Sequence, residues 1–265
     1  MIQDHNTEKI DLEWNDDDVV PPVVYPNLEF LFQQMLNLTL EEVDPGPGEL
    51  ILDVGCGKAI DGARLWTKGA KVIGLEPSRV MIARAKEFLS ESNSQIVLTQ
   101  GIGENLPFKP RSFGKVVCKG ALDHFFSPSK TMEEIARVLK PGGEMIISIA
   151  NFDSLGFRLG KRLYPVTKLL SPSLDKERKP WEPPSDHAYK FDYPFLSSLV
   201  KQRFEIKKTK GISLLFGLPL WGSFLSKLPH RVSYAILKLL DKLARPFPTL
   251  ADVILMKCTP IYEPK

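Results

Sequence analysis

An α/β fold around a mostly parallel sheet is what this sequence predicts, on three observations. The apolar run Leu50–Val54 ends at Gly55-Cys56-Gly57, the pattern of a buried strand entering a tight turn. Short apolar segments then alternate with helical ones as far as residue 150, at spacings that suit right-handed crossovers between parallel strands. Turn formers separate the segments: Asp44-Pro45-Gly46-Pro47-Gly48, Pro110-Arg111-Ser112 and Pro141-Gly142-Gly143.

Residues 1–26 hold Asp16, Asp17 and Asp18 and then Pro21, Pro22 and Pro26, and read as an extended arm outside the core. Leu28, Leu31, Phe32, Met35, Leu36 and Leu38 follow helical spacing, so a helix is expected over 28–40. Strands are expected at 50–54, 71–76, 95–100, 115–119 and 144–150. Ser78 is placed to cap a helix running to about residue 90, and 130–140 reads as another, broken by Pro141. Beyond 150 the rhythm breaks. The basic, proline-containing stretch 151–190 is expected to cap the C-terminal edge of the sheet. A helix over 191–202 and strands over 203–211 and 251–258 bring the count to seven strands, with an apolar helical insertion at 212–249. The expected organisation is one domain, 1–265: arm and helix 1–48, core 49–150, cap 151–190, and sheet completion 191–265.

At 265 residues the chain can bury a substantial core. Its 35 basic and 32 acidic residues leave a net charge of +3, which by itself argues for neither a nucleic-acid nor a membrane partner. Cys56, Cys118 and Cys258 lack metal-ligand spacing and sit in or beside apolar strands, so buried free thiols are expected. Met1-Ile2-Gln3-Asp4-His5 lacks the order of a signal peptide, and no uninterrupted apolar run reaches the roughly 18 residues of a membrane span. A cytoplasmic protein is the expectation.

The glycine turn sits where open α/β sheets bind nucleotide-like cofactors. A dinucleotide fingerprint would carry a third glycine where this chain has Ile60. Glu76, at the end of the second strand, could accept both hydroxyls of a ribose, a need shared by NAD, FAD and adenosylmethionine sites. Asp53, immediately before the glycines, would repel a pyrophosphate but suit an ammonium or sulfonium. It could equally tether the turn by accepting loop amides. Gly101-Ile102-Gly103-Glu104-Asn105-Leu106-Pro107-Phe108 supplies a polar loop at the sheet edge, suited to an adenine ring.

The ordered segments LILDVGCG, GLEPSRVMIARA, GIGENLPF and RVLKPGG resemble the class I S-adenosylmethionine-dependent methyltransferases, in particular the type 11 small-molecule group, from about residue 50 to 150. The resemblance implies a Rossmann-like, mostly parallel seven-stranded sheet with helices on both faces and an antiparallel last strand. It implies S-adenosyl-L-methionine as cofactor, its methionine moiety lined by Asp53, Gly55 and Gly57, with Cys56 between the glycines. Glu76 would hold the ribose, Pro77, Ser78 and Met81 would flank the adenine, and Gly103, Glu104 and Asn105 would form the adenine-edge loop. Lys119, Gly120 and Ala121 would lie under the sulfonium. Ile102 stands where many members carry an acid. Lys119, a cation near a cation site, is expected to point its side chain away.

A methyl on a sulfonium is already activated, so the protein has mainly to align an acceptor, exclude water and take a proton. His124, in Ala121-Leu122-Asp123-His124-Phe125-Phe126, is a candidate base or a pocket-shaping histidine. His187, in Asp186-His187-Ala188-Tyr189-Lys190-Phe191, could reach the acceptor or cap the helix that follows. Asp123 with His124 is too short a pair for a metal site, and no metal is expected.

Acceptor choice should lie in the arm, the cap and the 212–249 insertion. In the last, Val232, Ala235, Ile236, Leu239, Leu240 and Leu243 share a helix face, with Arg231, Lys238, Lys242 and Arg245 elsewhere. An ordinary packing helix is expected there, ahead of a membrane-surface helix or a lipid-covering one; a homodimer contact is also left open. The expected function is methyl transfer to oxygen, nitrogen or carbon of a small, hydrophobic or lipid-like acceptor. The alternatives are an inactive S-adenosylmethionine-binding partner and, disfavoured by Ile60, a nicotinamide-dependent oxidoreductase.

Overall fold

Seven strands form one sheet in the order β3-β2-β1-β4-β5-β7-β6. They are β1 (Leu50–Val54), β2 (Lys71–Glu76), β3 (Val97–Gln100), β4 (Phe113–Lys119), β5 (Leu139–Ala150), β6 (Phe204–Ile212) and β7 (Val253–Pro260). The computed structural model describes residues 11–17, 24–170, 179–183 and 187–262. β1 pairs in parallel with β2 and β4, and β5 in parallel with β4, whereas β7 runs antiparallel to both β5 and β6. The fold is therefore the Rossmann-like α/β sheet expected, with the chain's last strand reversed.

Helices cover both faces: α1 (Pro26–Val43), α2 (Ile60–Thr67), α3 (Arg79–Glu91), α4 (Pro128–Val138), α5 (Leu155–Leu170), α6 (Tyr193–Lys201), α7 (Trp221–Ser226) and α8 (His230–Ala244). On one face of the central strands, Leu52, Val116, Met145 and Ile147 join Met132 and Ile135 of α4 and Leu196 of α6. On the other, Ile51, Val117 and Ile146 meet Leu40 and Val43 of α1 and Leu65 of α2. Burial on both faces is why these strands read as continuous apolar runs. Ser78 accepts from the Met81 amide at 3.2 Å and so caps α3 as expected. All three cysteines are free and buried.

Three expectations need correcting. Pro141-Gly142-Gly143 does not separate α4 from the fifth strand, because β5 begins at Leu139. Pairing slips between Phe113↔Leu139 and Lys115↔Glu144, and Gly142, at φ +75°, takes the left-handed turn that such a bulge needs. α1 starts two residues early, at Pro26, whose missing amide costs nothing in a first turn. The third correction concerns α8, which packs through Ser233, Leu237, Asp241 and Ala244 and not through its apolar stripe.

Candidate functional site

The turn after β1 is pinned to the end of β2, where Leu75 O accepts from the Gly55 and Cys56 amides at 2.9 and 3.0 Å. The two glycines are needed for different reasons. Gly55 (φ +74°) faces Ala121, whose Cβ would stand 2.5 Å from any Cβ placed there. Among the described residues, a Cβ on Gly57 (φ +51°) would meet only the Met81 methyl, at 3.6 Å, so that side of the turn is open for another molecule to approach. Glu76 Oε2 accepts from Gly57 N and Oε1 from Ser78 N, each at 3.0 Å. One lone pair on each oxygen is thus committed to the backbone, and a second remains for a ligand.

Asp53 is 2 % exposed, and among the described residues its Oδ2 has no hydrogen-bond partner. Burial, with Asp61 and Glu76 nearby, pushes its carboxyl up to about 8, against the pull of Lys119. Burial raises Glu76 as well, opposed by the two amides it accepts. Lys119 does not reach out to solvent as expected. It pairs with Asp61 of α2 at 3.3 Å, close enough for its charge to be felt at Asp53. Three buried acidic groups share this one lysine, so the turn has room for a further positive charge, and such a charge would favour the ionised form of Asp53.

At the end of β4, a short 3-10 turn (Leu122–His124) presents the candidate catalytic groups. His187 Nδ1 lies 3.1 Å from Asp123 Oδ2, and His124 Nε2 lies 4.0 Å from Oδ1. The rings of His124 and His187 meet edge to face at 4.6 Å, Trp14 adds a third ring 5.3 Å from His124, and Phe152 lies 6.1 Å from His187. His187 does not cap α6; Asp192 does, accepting from Phe195 N at 2.8 Å. Ligand atoms of Asp123, His124 and His187 lie within 4.8 Å of one another. Tetrahedral zinc would hold its ligands about 3.4 Å apart, so His124 would have to move inward before the trio could share an ion.

Residues 52–147 match the type 11 methyltransferase domain. Over that stretch the chain is similar to the methyltransferase domain family. A demethylmenaquinone methyltransferase of Corynebacterium kroppenstedtii is 32% identical over 109 residues, covering 41% of this chain and 45% of that protein. A ubiquinone biosynthesis O-methyltransferase of Dechloromonas aromatica is 30% identical over 134 residues, covering 48% and 56%. The chain spans about half the length of the curated relatives it matches. An S-adenosylmethionine-dependent methyltransferase of Thermotoga maritima shares the fold at a TM-score of 0.57, with 20% identity over 87% of this chain and 89% of its own.

The residues of the site fit S-adenosyl-L-methionine. The unsatisfied Asp53 oxygen, on a carboxyl that a bound cation would ionise, suits a ligand carrying a sulfonium and an ammonium, and Glu76 keeps acceptor capacity for ribose hydroxyls. Of the adenine-side candidates, Met81 is buried below Gly57 and Ser78 is committed to capping. Glu104 Oε1 accepts from Ser127 N at 3.1 Å and so anchors the start of α4. Gly103 is packed against Thr131 and Phe125, and a bridge between Ile102 and Asn105 closes that loop on itself. Gly120 takes a left-handed φ of +60° beside Met35, and Ala121 fills the space beside Gly55. Pro77 O accepts from the Gln100 side chain, which ties β3 to the β2 end.

Residues 11–17 form a strap that the sequence reading left outside the core. Leu12 O accepts from Arg79 N at 2.8 Å, and Trp14 O accepts from the Ser78 hydroxyl. Asp16 pairs with both Lys58, next to Gly57, and Arg84 of α3, while Asp17 also pairs with Arg84. The strap therefore runs from the start of α3 past the glycine turn and brings Trp14 against His124. Asp18, Pro21, Pro22 and Asp186 lie outside the described residues.

Proposed function

We propose that this protein transfers the methyl group of S-adenosylmethionine to a hydroxylated, quinone-type or similarly planar hydrophobic acceptor. The observation that carries the reading is the contact of buried Asp123 with His187, set among aromatic rings beside the acidic turn. S-adenosylmethionine, when bound, supplies the methyl on a positively charged sulfur. Asp53, Asp61 and Glu76 favour that charge at the turn. The Asp123 carboxylate, 3.1 Å from His187 Nδ1, stabilises the positive charge that His187 gains when it takes the acceptor's proton as oxygen becomes nucleophilic. Trp14, His124 and Phe152 offer flat apolar faces for a planar acceptor, and the strap keeps water from the reacting atoms. The named activities of the menaquinone and ubiquinone relatives support the acceptor class.

The test is transfer of label from methyl-tritiated S-adenosylmethionine to a panel of hydroxylated benzoquinols and naphthoquinols, with simple phenols, amines and carboxylates alongside. Label in a quinol, lost in His187→Ala, supports the proposal. Label in amines or carboxylates alone would sink the acceptor class. Label that stays on the cofactor throughout, with S-adenosylhomocysteine still bound, would leave a non-catalytic cofactor-binding partner as the reading.

A further inference from the structure

The insertion that carries α7 and α8 leaves the sheet at the catalytic edge, since Ala150 and Ile212 both pair with Val253 there. α8 is amphipathic, yet its apolar side is not the buried one. At 100° per residue, Val232, Ile236, Leu239, Leu240 and Leu243 fall within about 100° of arc. The buried residues Ser233, Leu237, Asp241 and Ala244 fall on a separate arc centred about 110° away. Val232 is 45 % exposed, Leu239 59 % and Leu243 51 %, and Phe247 in the following turn is 54 % exposed. The third side of the helix carries Arg231, Lys238 and Lys242, all exposed. The acid within α8, Asp241, is buried and paired with Arg245 at 2.5 Å, so every exposed charge on α8 is positive.

A helix that spends its small and polar residues on the core and turns leucines outward is built for a second apolar phase. The row of cations beside the leucines selects an anionic one. We infer that α8 docks this protein on an anionic phospholipid surface, with Leu239 and Leu243 dipping below the headgroups and Lys238 and Lys242 lying among the phosphates. A second copy of the chain is the less suitable occupant, because two-fold pairing of this face would bring its cationic rows together. The inference is independent of the reaction proposed above and needs no cofactor to test.

The experiment is co-sedimentation of the full chain with vesicles of phosphatidylcholine alone or with an equal part of phosphatidylglycerol. Binding to the mixed vesicles, weakened by salt, is expected. Lys238→Gln with Lys242→Gln should weaken partitioning on the order of 30-fold, about fivefold per lysine. Leu239→Ser with Leu243→Ser should weaken it at least about tenfold while leaving the circular-dichroism melt in place, because neither leucine is in the core. Equal binding to neutral vesicles would overturn the choice of an anionic surface. No binding to either would overturn the inference, and so would a dimer in light scattering that the leucine variant splits without any vesicle binding.

Discussion

Asp53 should release its proton when the cofactor binds, and replacing it with asparagine should remove that release. Its carboxyl sits at about 8 because it is buried beside Asp61 and Glu76 with an unpartnered oxygen. At pH 7 a group with that pKa is roughly 90% protonated, so a bound cation that fully ionises it expels about 0.9 proton. The cofactor's own amino group, with a pKa of about 7.7–8.0, is already mostly protonated at pH 7 and takes up only about 0.1. The net expectation is release of about 0.8 proton at pH 7. At pH 9 Asp53 is already ionised and the amino group is not, so the exchange reverses to an uptake of about 0.8. Titration calorimetry with S-adenosylmethionine in phosphate and in Tris reads this number from the difference in apparent enthalpy. In Asp53→Asn the release at pH 7 should vanish while the uptake at pH 9 persists. Wild-type protein that binds the cofactor at pH 7 without releasing a proton would refute the placement of a cation against Asp53.

Other consequences follow from the same geometry. His187→Ala should lower kcat by about 10²–10⁴ with cofactor affinity unchanged, and Asp123→Asn should do the same less severely; an unchanged rate in both would remove the pair from catalysis. Gly55→Ala should destabilise the fold by about 1–3 kcal/mol, since its Cβ would collide with Ala121 and φ is left-handed, a loss readable by urea unfolding. Arg84→Ala, which removes the partner of Asp17 and one of the two partners of Asp16, should speed S-adenosylhomocysteine dissociation in stopped flow; an unchanged off-rate would mean the strap does not gate the site. Asp252 is raised to about 7 by burial, so the folded state holds a proton that the unfolded chain gives up near pH 4. Stability should therefore fall as pH rises from about 4 to 7, and Asp252→Asn should flatten that part of a melting-temperature profile.

The sheet was legible because its central strands are buried on both faces and bounded by turn formers. Leu50–Val54 and Lys71–Glu76 have in the structure the limits read from the sequence. Boundaries slipped where a strand tolerates irregular residues. Pro141 and Gly142 look like breakers along the chain, but β5 absorbs them as a bulge at the sheet's far end from the site. The stripe on α8 was visible too, and its periodicity was correct. What periodicity cannot carry is which side of a helix the core will take. Ser233 and Ala244 face inward because small residues let α8 sit close to β6, as Gly211 shows: a Cβ there would stand 2.2 Å from Ala244 O.

The site divides along similar lines. Gly55, Gly57 and Glu76 are fixed by local backbone needs, so a short motif reports them. Asp61, Asp123 and Trp14 act through neighbours distant in the chain, and no local pattern marks them. Lys119 did carry a signal: a lysine beside a cation site requires a carboxylate partner nearby, and Asp61 is that partner. Pairing matters here because it decides the sign of the field. An unpaired Lys119 would offset one of the carboxylates and weaken cofactor binding, whereas tied to Asp61 it leaves Asp53 and Glu76 to face the ligand. Asp61→Asn should therefore weaken S-adenosylmethionine binding more than it weakens S-adenosylhomocysteine, which lacks the sulfonium charge. Equal loss for both ligands, measured by calorimetry at one pH, would show that Asp61 shapes the turn without setting its charge.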